Sequence, residues 1–355
     1  MDQIFNTQSI EIDAPLLQTI AAIDEFKGRW RGLAKLQPKQ LLRLRHMATI
    51  QSIGASTRIE GVTLSDQEVE QLLQQSDKTS EWVPINRDQQ EVRGYAKTLA
   101  LINDHFDALT LNENHILQLH RDLLEFSDSD SRHRGAYKTV ENLIAAIDAT
   151  GQPVGTVLKT SSPFDTPQHL SALLHWTRDS LQHKTHHPLM VIAVFVVVFL
   201  KVHPFMDGNG RLSRLLTHLL LRQAGYDHVA YASLEHVIES SKEDYYLALR
   251  QTQMTLLEPE PNWQPWLHYF FQALMEQIQG LEKIMAEQHA LNAQLPPLAR
   301  ELLEIIQRRG RLSVAEATTL TGANRNTIKT HLTTLTRNGL IKRHGEGRGS
   351  WYGPQ

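Results

Sequence analysis

Leu189 to Leu200 is an unbroken, valine-rich run of twelve apolar residues that leads into Pro204 and the turn Gly208-Asn209-Gly210. A segment with no polar face has to be buried on every side, so this run belongs to the core of whatever the chain forms. Its periodicity fits a buried strand as well as a buried helix. It is too short to span a bilayer, which takes about 20 apolar residues, so it is core and not anchor.

The residues after the run carry the chemistry. His203-Pro-Phe-Met-Asp-Gly-Asn-Gly-Arg-Leu-Ser-Arg214 places a base, a carboxylate, an anion-binding turn and two guanidiniums within twelve positions. His203 can take a proton near neutral pH, and Asp207 can hold a hard divalent cation. Backbone N–H groups of Gly208, Asn209 and Gly210 can turn toward an anion, with Arg211 and Arg214 facing a phosphate chain. Leu212, Leu215, Leu216, Leu219 and Leu220 follow at helical spacing, so the turn feeds a helix N-terminus, a ready anion site. His203 and Asp207 also stand at i and i+4, as two zinc ligands on one helix would, but Pro204 and Gly208 interrupt any helix there. A capped helix start with solvated arginines is the bland alternative.

The segment resembles the signature of Fic-domain AMP transferases, His-x-Phe-x-Asp/Glu-Gly-Asn-x-Arg-x-x-Arg, with every specified position filled. The resemblance implies transfer of AMP from ATP to a Tyr, Thr or Ser hydroxyl of a protein, with pyrophosphate leaving. His203 would be the general base. Asp207 would hold Mg²⁺ bridging the α- and β-phosphates. Asn209 and the amides around Gly208 and Gly210 would hold the α-phosphate, while Arg211 and Arg214 grip the β- and γ-phosphates. Such a transfer needs in-line positioning and cancellation of developing charge more than covalent work, which suits that set. No phosphate-binding Gly-x-x-x-x-Gly-Lys-Ser/Thr stretch or dinucleotide glycine fingerprint competes with it.

The family resemblance extends to three further segments. Ser56, Glu60 and Gly61, after a helical stretch from about Pro38 to Ala55, match an inhibitory helix, with Gly61 as its C-cap. The implied mechanism pairs Glu60 with Arg214 and removes the γ-phosphate's partner. A carboxylate there could instead position water for removal of AMP from a modified protein. Arg132 to Lys138 followed by Thr139 to Leu143 resembles a flap that clamps a target by strand addition, with Lys138, Thr139 and Val140 at its start and Lys138 where the family usually has arginine. Tyr245 and Tyr246 lie in a segment similar to the helix lining the adenine pocket, where either could stack on the base. The family also favours a helix over a strand for residues 189–200.

Zero cysteines exclude disulfides and thiolate metal sites, and no signal or transmembrane stretch is visible, so a cytoplasmic protein without membrane association is expected. His183, His186 and His187 precede Pro188 at a helix start and read as surface residues. Net charge is −3, yet residues 298–355 carry ten Lys/Arg against four Glu, +6 against −9 for the rest. Such asymmetry marks a separate module with an anionic partner.

The tail pattern fits a winged helix-turn-helix. Leu298 to Arg309 reads as a first helix, Ser313 caps a second through Leu320, and Asn324 or Arg325 begins a recognition-like helix ending at Asn338. Gly339-Leu340-Ile341 and Ser350-Trp351-Tyr352 read as strands around a basic tip. Asn324, Arg325, Asn326 and Lys329 would face the major groove in a DNA-binding use, although winged helices also dock proteins or dimerise.

The expected architecture is mainly α: an N-terminal helical inhibitory region at 1–100, a Fic-type helical core with a small β-hairpin flap at 101–290, and the winged helix at 298–355. ATP is the expected substrate, Mg²⁺ the metal, and a hydroxyl-bearing protein or the chain itself the target, with DNA and a homodimer as further partners. The competing function is a DNA-binding regulator whose core senses a nucleotide; an intact His203 argues against it.

Overall fold

The computed structural model describes residues 5–36, 38–78, 84–147, 153–293 and 295–354. They divide into two compact units, Met1–Gly280 and Leu281–Gln355. The first holds α1 (Ala14–Leu36), α2 (Pro38–Ile59), α3 (Asp66–Lys78), α4 (Arg87–His105), α5 (Glu113–Leu123), the strands β1 (Leu143–Ile147) and β2 (Pro153–Lys159), and α6 (Thr166–His183). It continues through α7 (Pro188–Val202), α8 (Asn209–Gln223), α9 (Leu234–Ser240), α10 (Lys242–Gln253) and most of α11 (Gln264–Ala293).

Residues 189–200 are helical. In α7 Pro188 opens the first turn, where its missing N–H is harmless, and His187 caps it. Every residue from Leu189 to Leu200 is buried, with α6, α8 and α10 packed around the helix. A valine-rich sequence is helical here because burial on all faces outweighs the modest β preference of branched side chains. The helix ends at His203, whose φ of 51° is left-handed, because the following Pro204 has no N–H to continue the ladder.

The strands of this unit are displaced from the expected flap. Thr139 and Val140 lie in an exposed bend, and the antiparallel hairpin begins at Leu143, pairing it with Lys159 and Ile147 with Pro153. Lys138 is not at the surface either; it is 2% exposed. Its ammonium turns inward to the Thr160 hydroxyl and the Val202 carbonyl. Among the described residues, no helix is long and apolar enough to cross a membrane.

The second unit is a winged helix. It contains α12 (Pro297–Arg309), α13 (Val314–Thr321), α14 (Arg325–Arg337) and a three-stranded antiparallel sheet of β3 (Leu312–Ser313), β4 (Ile341–His344) and β5 (Trp351–Pro354), in the order β3-β5-β4. Ser313 and Glu316 form a reciprocal capping box at α13, and Asn324 caps α14. Leu302, Ile306, Ala317, Ile328, Leu332 and Leu335 make its core. Lys342, Arg343 and His344 belong to β4 itself and not to a loop tip, because they pair with Gly353, Tyr352 and Trp351.

Candidate active site

The loop between α7 and α8 is held from inside. Asn209, 2% exposed, accepts from the Phe205 N–H at 3.0 Å and donates to the Phe205 carbonyl at 2.8 Å, closing a five-residue ring. Gly208 takes φ 80° at the N-cap of α8, a conformation that suits glycine. Helix geometry then leaves the N–H groups of Asn209, Gly210 and Arg211 without intrahelical acceptors, aimed out of the helix start. Asn209 thus has both ends of its side-chain amide engaged in the loop, and its backbone N–H is left facing outward.

His203 is held as one tautomer. Its Nδ1 lies 3.3 Å from the Leu200 carbonyl, which can only accept, so Nδ1 carries the proton and Nε2 keeps a free lone pair. Burial, with Lys138 nearby, pushes the imidazole down to about 4 against the opposing pull of Leu200, Glu60 and Asp207. The ring is therefore neutral at physiological pH. A non-glycine residue in left-handed backbone carries strain of about 1–2 kcal/mol, and such strain persists where the surroundings over-determine it.

Asp207 sits at the rim, 43% exposed, and accepts from Arg211 Nη2 at 2.8 Å. Burial alone would raise its carboxyl, but the Arg211 guanidinium and the Gly208 N–H hold it below the usual carboxylate range. Arg211 is only 2% exposed, and its Nη1 stands 3.1 Å from Glu91 Oε2. Glu91 in turn accepts from Arg87 Nε at 2.7 Å. Arg211 therefore reaches the site's edge only through Asp207; its guanidinium lies between two carboxylates.

Arg214 is the second guanidinium, 4% exposed. Its Nε donates to Ser56 Oγ, and its Nη2 donates to the Ser56 carbonyl and to Glu60 Oε1, each at 2.8 Å. Burial would lower its pKa, but the Glu60 carboxylate holds it above the ordinary value. A Cβ on Gly210 would run into that carboxylate, so Glu60 lies directly over the start of α8. Gly61, with φ 103°, ends α2 as the C-cap and aims Glu60 there. Lys242 Nζ donates to the Ile59 carbonyl at 2.7 Å, and Arg58 grips Glu239 at 2.5 and 3.0 Å, which together anchor this end of α2.

The tyrosine pair splits. Tyr245 is 3% exposed and packs on Trp266 and Tyr269, whereas Tyr246 is 44% exposed and accessible to a ligand. Two residues of the site escaped the sequence reading. Glu91 looks like half of a surface i,i+4 pair with Arg87. His120 lies on the apolar face of α5, yet its ring stacks on Phe205 at 3.7 Å. Its Nδ1 accepts from the Gly135 N–H at 2.9 Å, so Nε2–H donates to the Asp207 carbonyl at 3.0 Å. No local pattern announces either contact, because both partners are distant in sequence.

Asp207 is the one hard oxygen donor of the loop, and the described residues contain no group of three or more His, Cys, Asp or Glu able to hold a metal. A single carboxylate fits Mg²⁺ that arrives with nucleotide phosphates, since that ion takes its remaining ligands from phosphate and water.

Residues 110–221 match the Fic/DOC family, and residues 295–342 match the winged helix-turn-helix DNA-binding family. Among curated relatives, the protein adenylyltransferase Fic of Drosophila grimshawi is 28% identical over 190 residues, 53% of this chain and 36% of that protein. A probable protein adenylyltransferase of Aquifex aeolicus is 29% identical over 89 residues, 25% of this chain and 27% of that protein. The chain thus spans about a quarter to a third of the length of these two relatives. A Fic family protein from Desulfovibrio desulfuricans G20 has the same fold over 99% of this chain and 98% of its own, with TM-score 0.64 and 23% identity. Fic-1 from C. elegans, residues 134 to 508, superposes with TM-score 0.59 and 20% identity over 78% of this chain and 74% of its own.

Proposed function

From a chain that carries a Fic/DOC domain ahead of a winged helix-turn-helix, we propose a protein adenylyltransferase that moves AMP from ATP to a Tyr, Thr or Ser hydroxyl. One observation carries it: neutral His203, its Nε2 open, shares a short loop with the anion-ready start of α8. His203 Nε2 takes the proton of the target hydroxyl as its oxygen attacks the α-phosphorus. The bond from the α-phosphorus to the bridging oxygen breaks, and pyrophosphate leaves with that electron pair. The N–H groups of Asn209 and Gly210 meet the α-phosphate, and Arg214, once free of Glu60, meets the γ-phosphate. Arg211 acts mainly by holding Asp207. Mg²⁺ on Asp207 would neutralise charge on the phosphates as they separate. Tyr246, rather than Tyr245, is the ring able to stack on adenine.

In this reading residues 1–100 restrain the site, 101–290 do the chemistry, and Glu60 keeps the enzyme idle by occupying Arg214 and the start of α8. ATP then binds only with its γ-phosphate displaced. The test is intact-mass spectrometry after incubation with ATP and Mg²⁺. Glu60→Gly should gain adducts of about 329 Da on itself or on added lysate proteins, and Glu60→Gly/His203→Ala should gain none. No adduct on any protein, with ATP still bound, defeats the proposal.

A second activity of the same site is favoured by the position of Glu60, 30% exposed over the α8 start and so within reach of water. There its carboxylate could take a proton from water attacking the phosphorus of a modified side chain, releasing AMP and restoring the hydroxyl. Wild type added to AMP-modified protein should then remove the adduct mass, and Glu60→Gly should not. For the winged helix we propose DNA as the partner, because Asn324, Arg325, Asn326 and Lys329 are exposed at the start of α14.

A further inference from the structure

We infer that Lys138, Asn142 and Thr160 form a strap that positions the catalytic loop, gripping its backbone carbonyls on both sides of His203. This rests on the adenylyltransferase reading of that loop. The Lys138 N–H donates to the Pro204 carbonyl at 2.9 Å, and Lys138 Nζ donates to the Val202 carbonyl at 3.1 Å. These carbonyls belong to the residues on either side of His203. With both of its neighbours held, the left-handed backbone of His203 cannot relax far without straining one of these hydrogen bonds.

The remaining contacts run one way. Lys138 Nζ also donates to Thr160 Oγ1 at 2.9 Å, and Thr160, its single proton available, donates to the Asn142 carbonyl at 2.8 Å. Asn142 Nδ2 then donates to the Phe205 carbonyl at 2.8 Å, the acceptor that Asn209 also uses. Lys138 is 2% and Thr160 6% exposed, so each link is shielded from water. An ammonium on a flexible stem suits this place, because one nitrogen reaches both a hydroxyl and a carbonyl.

The placement ties the strap to the hairpin. Asn142 immediately precedes β1, and Thr160 immediately follows β2. One foot of the hairpin, Asn142, therefore ends on the loop that carries the base, and the other, Thr160, reaches it through Lys138 and Asn142. A target segment bound along the hairpin is brought into register with His203 through these three residues, which are positioning residues and touch neither nucleotide nor target. The start of α8 keeps the bond that Asn209 accepts from the Phe205 N–H, which the strap does not touch, and Arg214 is held by Ser56. Loss of the strap should accordingly lower turnover and spare ATP binding.

The test uses the full chain in the Glu60→Gly background. Lys138→Met and Asn142→Ala should each lower kcat for AMP transfer about tenfold or more, with the ATP Kd within about twofold. Lys138→Arg, which restores donors, should recover most of the loss. Hydrogen exchange by mass spectrometry should quicken in peptides covering residues 203–209 and stay unchanged over α5. Unchanged kcat and unchanged exchange in Asn142→Ala and in any folded Lys138 variant would overturn the strap, as would an ATP Kd that rises in step with the loss of kcat. If the Glu60→Gly parent transfers no AMP, the adenylyltransferase reading fails by itself, and the exchange rates over 203–209 still decide the strap.

Discussion

Arg214 and Glu60, 154 residues apart in sequence, meet at 2.8 Å with the guanidinium almost wholly buried. The pair joins the end of α2 to the second turn of α8. Because Ser56 takes two further donors of the same guanidinium, Arg214 has its orientation whether or not Glu60 is present. Glu60 contributes the charge, and in doing so fills the space in front of the α8 start.

Glu60→Gly leaves that buried cation without its countercharge. The variant should be less stable than wild type, by about 1–3 kcal/mol once the partial exposure of Glu60 is allowed for. ATP, whose phosphates replace the carboxylate, should raise its Tm by more than it raises that of wild type. AMP transfer should rise about tenfold or more. Thermal melts with and without ATP, paired with adduct mass, check both; equal ATP-induced shifts in the two proteins would sink the charge-replacement idea.

The grip of Arg58 on Glu239 lies behind the Glu60 carboxylate. Glu239→Ala removes a two-point, partly buried ion pair and should cost about 1–2 kcal/mol in urea unfolding. With α2 less tightly anchored, basal AMP transfer should rise a few fold and still fall short of Glu60→Gly. A variant as inactive as wild type would show that the grip serves stability alone.

Four buried histidines make the fold acid-sensitive. Burial pushes His120, His203 and His228 down to about 4, and His218 down to about 3. Above pH 6.5 these rings are neutral in both folded and unfolded chains, so they add no pH dependence. As pH falls below 6.5 the unfolded chain takes up protons that the folded protein refuses, and stability drops until the folded pKa values are reached. Urea midpoints between pH 7 and 4.5 should fall with a slope of more than one proton; a flat profile would contradict the burial of these rings as neutral species.

His120→Phe keeps the stack on Phe205 and deletes two hydrogen bonds. The Gly135 N–H loses its acceptor and the Asp207 carbonyl its donor, so the variant should lose about 1–3 kcal/mol. Transfer in the Glu60→Gly background should fall while the Mg²⁺ concentration needed for half-maximal rate rises, since Asp207 is no longer braced. An unchanged Mg²⁺ requirement would separate His120 from the carboxylate's position.

DNA binding by the winged helix should weaken with salt. Lys329→Ala and Arg325→Ala should each reduce affinity, and a phosphate-contacting residue should reduce the slope of log Kd against log salt by about one. Electrophoretic mobility or anisotropy across a salt series measures it, and binding insensitive to both substitutions would point to a protein partner for this module.

Much of the protein was legible from local spacing. The turn-to-helix transition at Gly208, the C-cap at Gly61 and the capping of α13 and α14 depend on neighbours within one or two turns, so residue order alone specifies them. Tertiary structure decided the rest. Residues 189–200 became a helix because other helices surround them, which no periodicity within an all-apolar run can express. Arg211, expected to face a phosphate chain, turned toward Glu91, Lys138 turned inward to Thr160 and the Val202 carbonyl, and the hairpin started three residues after Val140. Each of these outcomes was set by a buried donor or charge finding its acceptor far along the chain, and the cost of leaving such a group unpaired is felt only once the chain has packed.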